Sequence, residues 1–317
     1  MSVQEIELSQ EFTDEIFVLT HMPEIRHWCL KEWAKFEHAL LCENRFSAEN
    51  IFLDAVREKA GKATKTIERG TILYRARIFE QEPVDKFLFY MQKVLKREGN
   101  SVSAFLRSIE MQVDNWLALL PQKDDGEPYV KQAREATRLM RQARFRGYNA
   151  KDSTAPPSGK CISYRANPDH IRYLYVSEDR ETPIYEIRPS IWQYVSLAKL
   201  KSNRDLKLYD LSVESDAFTA VAPSTIQVYG AIMFVCGMFS QPNYNEPSKY
   251  LPTQYIAETI KRMGFDGIRY ISSLHKDGTN IVLFNPNDCR VISSDLVRVN
   301  GIQVNYETAF LYNEKKE

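Results

Sequence analysis

The chain has 317 residues with 42 Lys+Arg and 42 Asp+Glu, so its formal net charge is zero, and global charge gives no argument for a nucleic-acid or membrane partner. The hydrophobic and charged fractions, 44% and 26%, are those of an ordinary globular protein. No apolar run reaches the length of a membrane span, the acidic N-terminus does not read as a signal peptide, and the five cysteines show no C-x-x-C, so a reduced, cytoplasmic protein is expected.

Residues 1–25 hold six carboxylates and no Lys or Arg. Cys29, Trp33, Phe36 and Leu40 then fall at helical spacing, and a second helix from about Ser47 to Gly61 buries Phe52 and Val56. Residues 1–69 are read as a small helical domain. The stretch 71–79 is β-branched, aromatic and alternating, which predicts a strand. Helical stripes return at 84–95 and 105–120. A basic helix follows at 129–146, carrying Arg134, Arg138 and Arg141 on one face. That face is read as solvated, or as a partner for the acidic residues 1–25, rather than as a nucleic-acid patch. The two Phe/Trp-rich helices would suit a core or a homodimer interface. After a Pro-Pro-Ser-Gly loop at 156–159, strands are predicted at 172–177, 184–189, 206–211, 226–236, 268–272, 280–285 and 289–293, with a final pair at 296–299 and 302–306 around Asn300-Gly301. One helix, opened by Pro252 and ended by Gly264, interrupts them. The order of elements indicates an α+β fold with mixed sheets rather than a βαβ series.

Dinucleotide-binding, P-loop, nucleophile-elbow and zinc motifs are all absent, and no metal site is expected. Three other segments concentrate polar residues. They are Tyr74-Arg75-Ala76-Arg77; the run from Tyr164-Arg165-Ala166-Asn167-Pro168 through Tyr173–Ser177 to Tyr185-Glu186-Ile187-Arg188-Pro189; and the run 264–273 with Gly278-Thr279-Asn280. On strand alternation, Tyr173, Tyr175 and Ser177 share one face, and Glu186 shares another with Arg188.

These segments resemble the RES domain family. The resemblance rests on Arg165-Ala166-Asn167-Pro168, Leu174-Tyr175, Thr182 to Pro189, Gly264-Phe265-Asp266-Gly267-Ile268 with Tyr270 and Ser272, Asn280, Phe284 and the early Tyr74-Arg75. It covers roughly 70–80 and 147–293. This chain departs from the family pattern at Tyr164, where glycine is usual, and at Pro183, where alanine is usual. The resemblance implies an ADP-ribosyltransferase-like domain over 70–317, with a helical insertion at about 83–146. It implies a toxin or defence effector that breaks the nicotinamide–ribose bond of NAD by phosphorolysis or hydrolysis. Transfer of ADP-ribose to a protein, and a catalytically inactive module binding protein or RNA, are the alternatives. NAD would be a substrate, with no cofactor, and a separate antitoxin chain would be a partner. Glu186 is the candidate carboxylate beside the developing ribosyl cation. Arg75, with Arg77 as its competitor, and Arg165 are candidates for the pyrophosphate. Tyr175 would stack on nicotinamide or bond a ribose hydroxyl. Ser272, in competition with Ser273, would orient Glu186 or a phosphate oxygen. Asn167 and Asn280 complete the expected NAD-binding set. His170 and His275 are read as surface histidines.

Overall fold

The computed structural model describes residues 10–44, 48–80, 146–212, 226–241 and 246–302. The stripes expected at 84–120, the helix at 129–146 except Arg146, and the strand at 302–306 beyond Ile302 lie outside these residues.

Helix α1 (Gln10–Cys42) buries Ile25, Cys29, Trp33, Phe36 and Leu40, a spacing of three and four that puts all five on one side. Helix α2 (Ile51–Lys59) is capped by Asn50, whose Oδ1 accepts from the amides of Phe52 and Leu53 at 3.0 and 3.1 Å. The strands β1 (Thr64–Ile67) and β2 (Ile72–Ile78) follow, then the short helix α3 (Ala150–Ser153), β3 (Leu174–Ser177) and the short helix α4 (Thr182–Glu186). The remaining elements are β4 (Tyr194–Ser202), β5 (Leu206–Asp210), helices α5 (Ile226–Ser240) and α6 (Leu251–Arg262), β6 (Gly267–Ile271), β7 (Thr279–Leu283) and β8 (Cys289–Arg298). Among the described residues no helix is long and apolar enough to cross a membrane.

The fold is α+β around a mixed eight-stranded sheet of order β1-β5-β6-β7-β3-β2-β4-β8. Among the described strands only β5 and β6 run parallel. The strand pair β2–β4 is zipped along the whole of β2, but β2 and β3 meet in register only at Tyr74 and Ser177. The sheet therefore opens between β2 and β3, leaving five strands on one side of the gap and three on the other. Leu73, Leu200, Leu174, Val176, Leu208 and Ile281 form a core shared by both groups of strands. On the opposite face, α1, α2, α5 and α6 bury Trp33, Phe52, Ile232, Phe239 and Ile256 against Tyr209, Ile268 and Val282 of the sheet. The turn at 68–71, where the expected 69/70 boundary falls, links β1 at one sheet edge to β2 in the interior.

Two predicted strands are helices. The segment 184–189 belongs to α4 and the turn after it. Pro183 suits the first turn of a helix, and the Asp179 carboxylate accepts the amides of Glu181 and Thr182 at 2.8 and 2.7 Å. Glu186 thus ends a helix instead of alternating with Arg188 on a strand, and Arg188 sits at a φ of +47°. The segment 226–236 opens α5, which is apolar nearly all round, so hydrophobicity alone does not reveal its period. Strands β1 and β4 were not anticipated, and β8 is one continuous strand where two were expected.

Candidate active site

The gap between β2 and β3 widens into a cavity of about 610 Å³, walled by β2, β3, α4, the loop 160–171 and the residues following β6. Arg75, Arg165, Asn167, Tyr175, Glu186 and Asn280, six of the seven residues singled out in the sequence, line it. The seventh, Ser272, supports Glu186 directly.

Glu186 is half-buried, and two donors converge on one of its oxygens. Ser272 Oγ donates to Glu186 Oε1 at 2.7 Å and Asn280 Nδ2 donates to the same atom at 2.6 Å. Both donors are themselves fixed. Ser272 Oγ accepts from the amides of Leu274 and His275 at 3.2 and 3.1 Å, which aims its single proton at the carboxylate. Ser177 Oγ donates to Asn280 Oδ1 at 3.0 Å, which turns the amide nitrogen towards Glu186. Ser272 rather than Ser273 therefore holds Glu186, while Ser273 lines the cavity. Asn280 contacts the carboxylate, not only the space expected for a ligand.

Arg75 reaches in from β2. Its Nη1 donates to the Tyr175 carbonyl at 2.8 Å, and its Nε is buried with no hydrogen-bond partner among the described residues. Burial, with Arg77 nearby, pushes the guanidinium down to about 10. Arg77 is occupied differently, since it donates to the carbonyls of Asp152 and Thr154 at 2.5 and 3.0 Å and ties α3 to the sheet. Arg165 is buried, donates to the Gln241 carbonyl, and lies 5.8 Å from the centre of the Tyr270 ring.

Asn167 organises the loop that carries Arg165. Its Nδ2 donates to the carbonyls of Ile162, Pro168 and Ile171 at 3.1, 3.1 and 3.2 Å, and its Oδ1 accepts from Tyr175 Oη at 2.8 Å. Burial pushes the Tyr175 phenol well above its ordinary value, so it serves as a neutral donor. Its ring meets Tyr164 edge-on at 6.0 Å between centroids. As alternation predicts, Leu174 and Val176 pack into the core shared by the two groups of strands.

The sequence reading missed two supports. Glu178, just after β3, and Asp210, the last residue of β5, grip Arg269, with Arg269 Nη2 2.9 Å from Glu178 Oε2 and Nη1 3.2 Å from Asp210 Oδ2. Arg269 stood at an unassigned position of the 264–273 segment, and only strand pairing brings its partners together. His275, read as a surface residue, is largely covered. Its ring stacks on Tyr185 at 4.8 Å with an interplanar angle of 8°. Among the described residues no group of three or more His, Cys, Asp or Glu could hold a metal ion.

The site is thus an α+β domain whose split sheet opens on a cavity lined by one braced carboxylate and by arginines. The RES domain family matches residues 106–301, and this chain belongs to that family. The match includes Arg165, Asn167, Tyr175, Glu186, Ser272 and Asn280 and begins after Arg75. Among solved structures, the chain is similar to the M. tuberculosis MbcT–MbcA toxin–antitoxin complex, at 10% identity and a TM-score of 0.36, over 79% of this chain and 93% of that chain. No curated protein sequence matches it.

Proposed function

We propose that this RES domain cleaves the nicotinamide–ribose bond of NAD. The observation that carries the reading is the paired donation of Ser272 and Asn280 to Glu186 Oε1, in a cavity that Arg75 and Arg165 also line. In the reaction, the C1′–N bond breaks and its electron pair leaves with nicotinamide, which departs neutral and needs no strong acid. Positive charge builds on the ribose, and a carboxylate held rigidly beside C1′ stabilises it. Water or phosphate then adds at C1′ to complete the exchange. Arg75 supplies a charge that burial disfavours and an anionic pyrophosphate would restore. Asn167 acts at one remove, by holding the loop on which Arg165 sits.

The test is nicotinamide release from NAD by the purified chain, with and without phosphate, beside Glu186→Ala and Glu186→Gln. Release by the wild type, lost in both variants, supports the assignment. Release that persists in Glu186→Ala would sink it. A requirement for phosphate would select phosphorolysis over hydrolysis, and labelled ADP-ribose retained on denatured protein would redirect the reading to protein modification.

A further inference from the structure

We infer that His275 is a positioning residue that sets Glu186 by clamping α4 to the loop 272–278. The role rests on Glu186 being the reactive carboxylate.

Helix α4 is a single short turn, too brief to hold its own shape, and it carries Glu186 at its last position. At its start the amides of Ile184 and Tyr185 donate to the Glu181 carbonyl at 2.9 and 3.1 Å. The geometry of Glu186 must therefore come from what α4 packs against. His275 meets the helix at both ends. At the start, Thr182 Oγ1 lies 2.8 Å from His275 Nδ1. The Thr182 hydroxyl proton goes to Asp179 Oδ2 at 2.5 Å, so its oxygen accepts from His275, which carries a proton on Nδ1. Near the end of α4, the His275 ring lies flat on Tyr185, the residue before Glu186.

The same residue also reaches the other side of the carboxylate. The His275 amide donates to Ser272 Oγ, the atom whose proton is aimed at Glu186. One residue thus fixes both the helix bearing the carboxylate and the hydroxyl that holds it. Gly278 allows this closeness, since a Cβ there would lie 2.3 Å from Thr182 Oγ1 and 2.8 Å from His275 Nδ1. The imidazole does not line the cavity, so it acts through Tyr185 and Thr182 rather than on a ligand, while the backbone amide of the same residue holds Ser272.

The experiment pairs hydrogen exchange with kinetics on the full chain. Three variants separate the contacts. His275→Asn keeps a donor near Thr182 without the ring, His275→Phe keeps the ring without the donor, and His275→Ala removes both. The expected result is exchange of the Ile184 and Tyr185 amides at least tenfold faster in His275→Ala and less so in the other two. The kcat for nicotinamide release should fall at least tenfold in His275→Ala with KM within twofold. The double variant Tyr185→Ala/His275→Ala should be no slower than the worse single variant, because Tyr185 acts through its contact with His275. Unchanged exchange in α4, or losses in kcat that multiply in the double variant, would overturn the clamp. If the wild type releases no nicotinamide, the exchange arm still decides the clamp, and the failure belongs to the NAD reading. If His275→Ala does not fold, the Phe and Asn variants decide it by the same two readouts.

Discussion

Asn280 Nδ2 lies 2.6 Å from Glu186 Oε1, and the far end of the same amide accepts a hydrogen bond from Ser177, the residue paired with Asn280 across β3 and β7. The carboxylate at the end of a one-turn helix is thereby referenced to two strands in the middle of the sheet. An amide suits this bridge because it accepts at one end and donates at the other.

This bridge makes Asn280→Asp a sharper test than removal of the side chain. The aspartate would place a second carboxylate where Glu186 has a donor, and two carboxylates at that distance cannot both ionise freely. We expect kcat for nicotinamide release to fall by about 10²–10³ in Asn280→Asp, more than in Asn280→Ala, where only one preorganised donor is lost. Activity in Asn280→Asp should be weakest at neutral pH and recover in part as the pair takes up a proton. Equal losses in the two variants would show that the donor, not the sign of the charge, is what matters.

Arg75 is a half-buried cation that, among the described residues, has one hydrogen bond to a carbonyl and a buried Nε without a partner. A charge held this way weighs against the empty protein and in favour of a ligand. We expect Arg75→Met to leave Tm unchanged or raise it, while the rise in Tm that pyrophosphate or NAD gives the wild type disappears. A drop in Tm with ligand stabilisation intact would assign Arg75 to the scaffold instead.

What was legible in the sequence depended on whether short-range pattern or long-range pairing sets each feature. The buried face of α1 and the strands β2, β3, β6 and β7 follow local alternation or helical spacing, and they appeared at nearly their observed positions. The residues that line or brace the cavity were legible through the short motifs around Arg165, Glu186 and Ser272. The strand expected at 184–189 failed because Pro183 and the Asp179 carboxylate start a helix that its apolar content hides. The strand expected at 226–236 failed because a helix with apolar residues nearly all round shows no polar face. His275 escaped notice because its partners Thr182 and Tyr185 lie some ninety residues away, and the turn that Gly278 permits brings them together.

Gly267, in the run that resembles the family motif, has a packing role. A Cβ there would lie 2.3 Å from the Val282 carbonyl oxygen, part of the neighbouring strand's backbone, which cannot swing aside as a side chain can. Gly267→Ala should therefore cost about 2–3 kcal/mol through overpacking between β6 and β7. It should also lower activity, since Ser272 and Asn280 follow on those strands. Denaturant unfolding would show a reduced midpoint with an unchanged slope. A midpoint equal to that of the wild type would mean that the two strands separate easily.

The Arg269 network sets the acid limit of the fold. Burial alone would raise the Glu178 carboxyl, but hydrogen bonds from Arg269 and Thr279 overcome it and hold the group below its ordinary value of 4.5. Asp266 follows the same pattern, with burial opposed by Arg204 and the Lys207 amide, and sits below 3.8. In both cases the folded state gives up the proton more readily than the unfolded chain does. The stabilisation is complete above those ordinary values and is lost as pH falls through the depressed ones. Tm should thus be flat from neutral pH down to about 5 and fall steeply below about 4. Arg269→Met reverses the balance, because Glu178 and Asp210 lose the cation between them. At pH 7 the variant should lose ~3 kcal/mol, the low end for a broken buried pair because Glu178 keeps 32% of its side chain exposed. Towards pH 3 Glu178 protonates and the gap between variant and wild type should narrow. Tm measured across pH 3–7 for both proteins checks the sign. A gap that stays constant would mean that Arg269 contributes packing alone, and one that widens in acid would contradict the depressed Glu178 carboxyl.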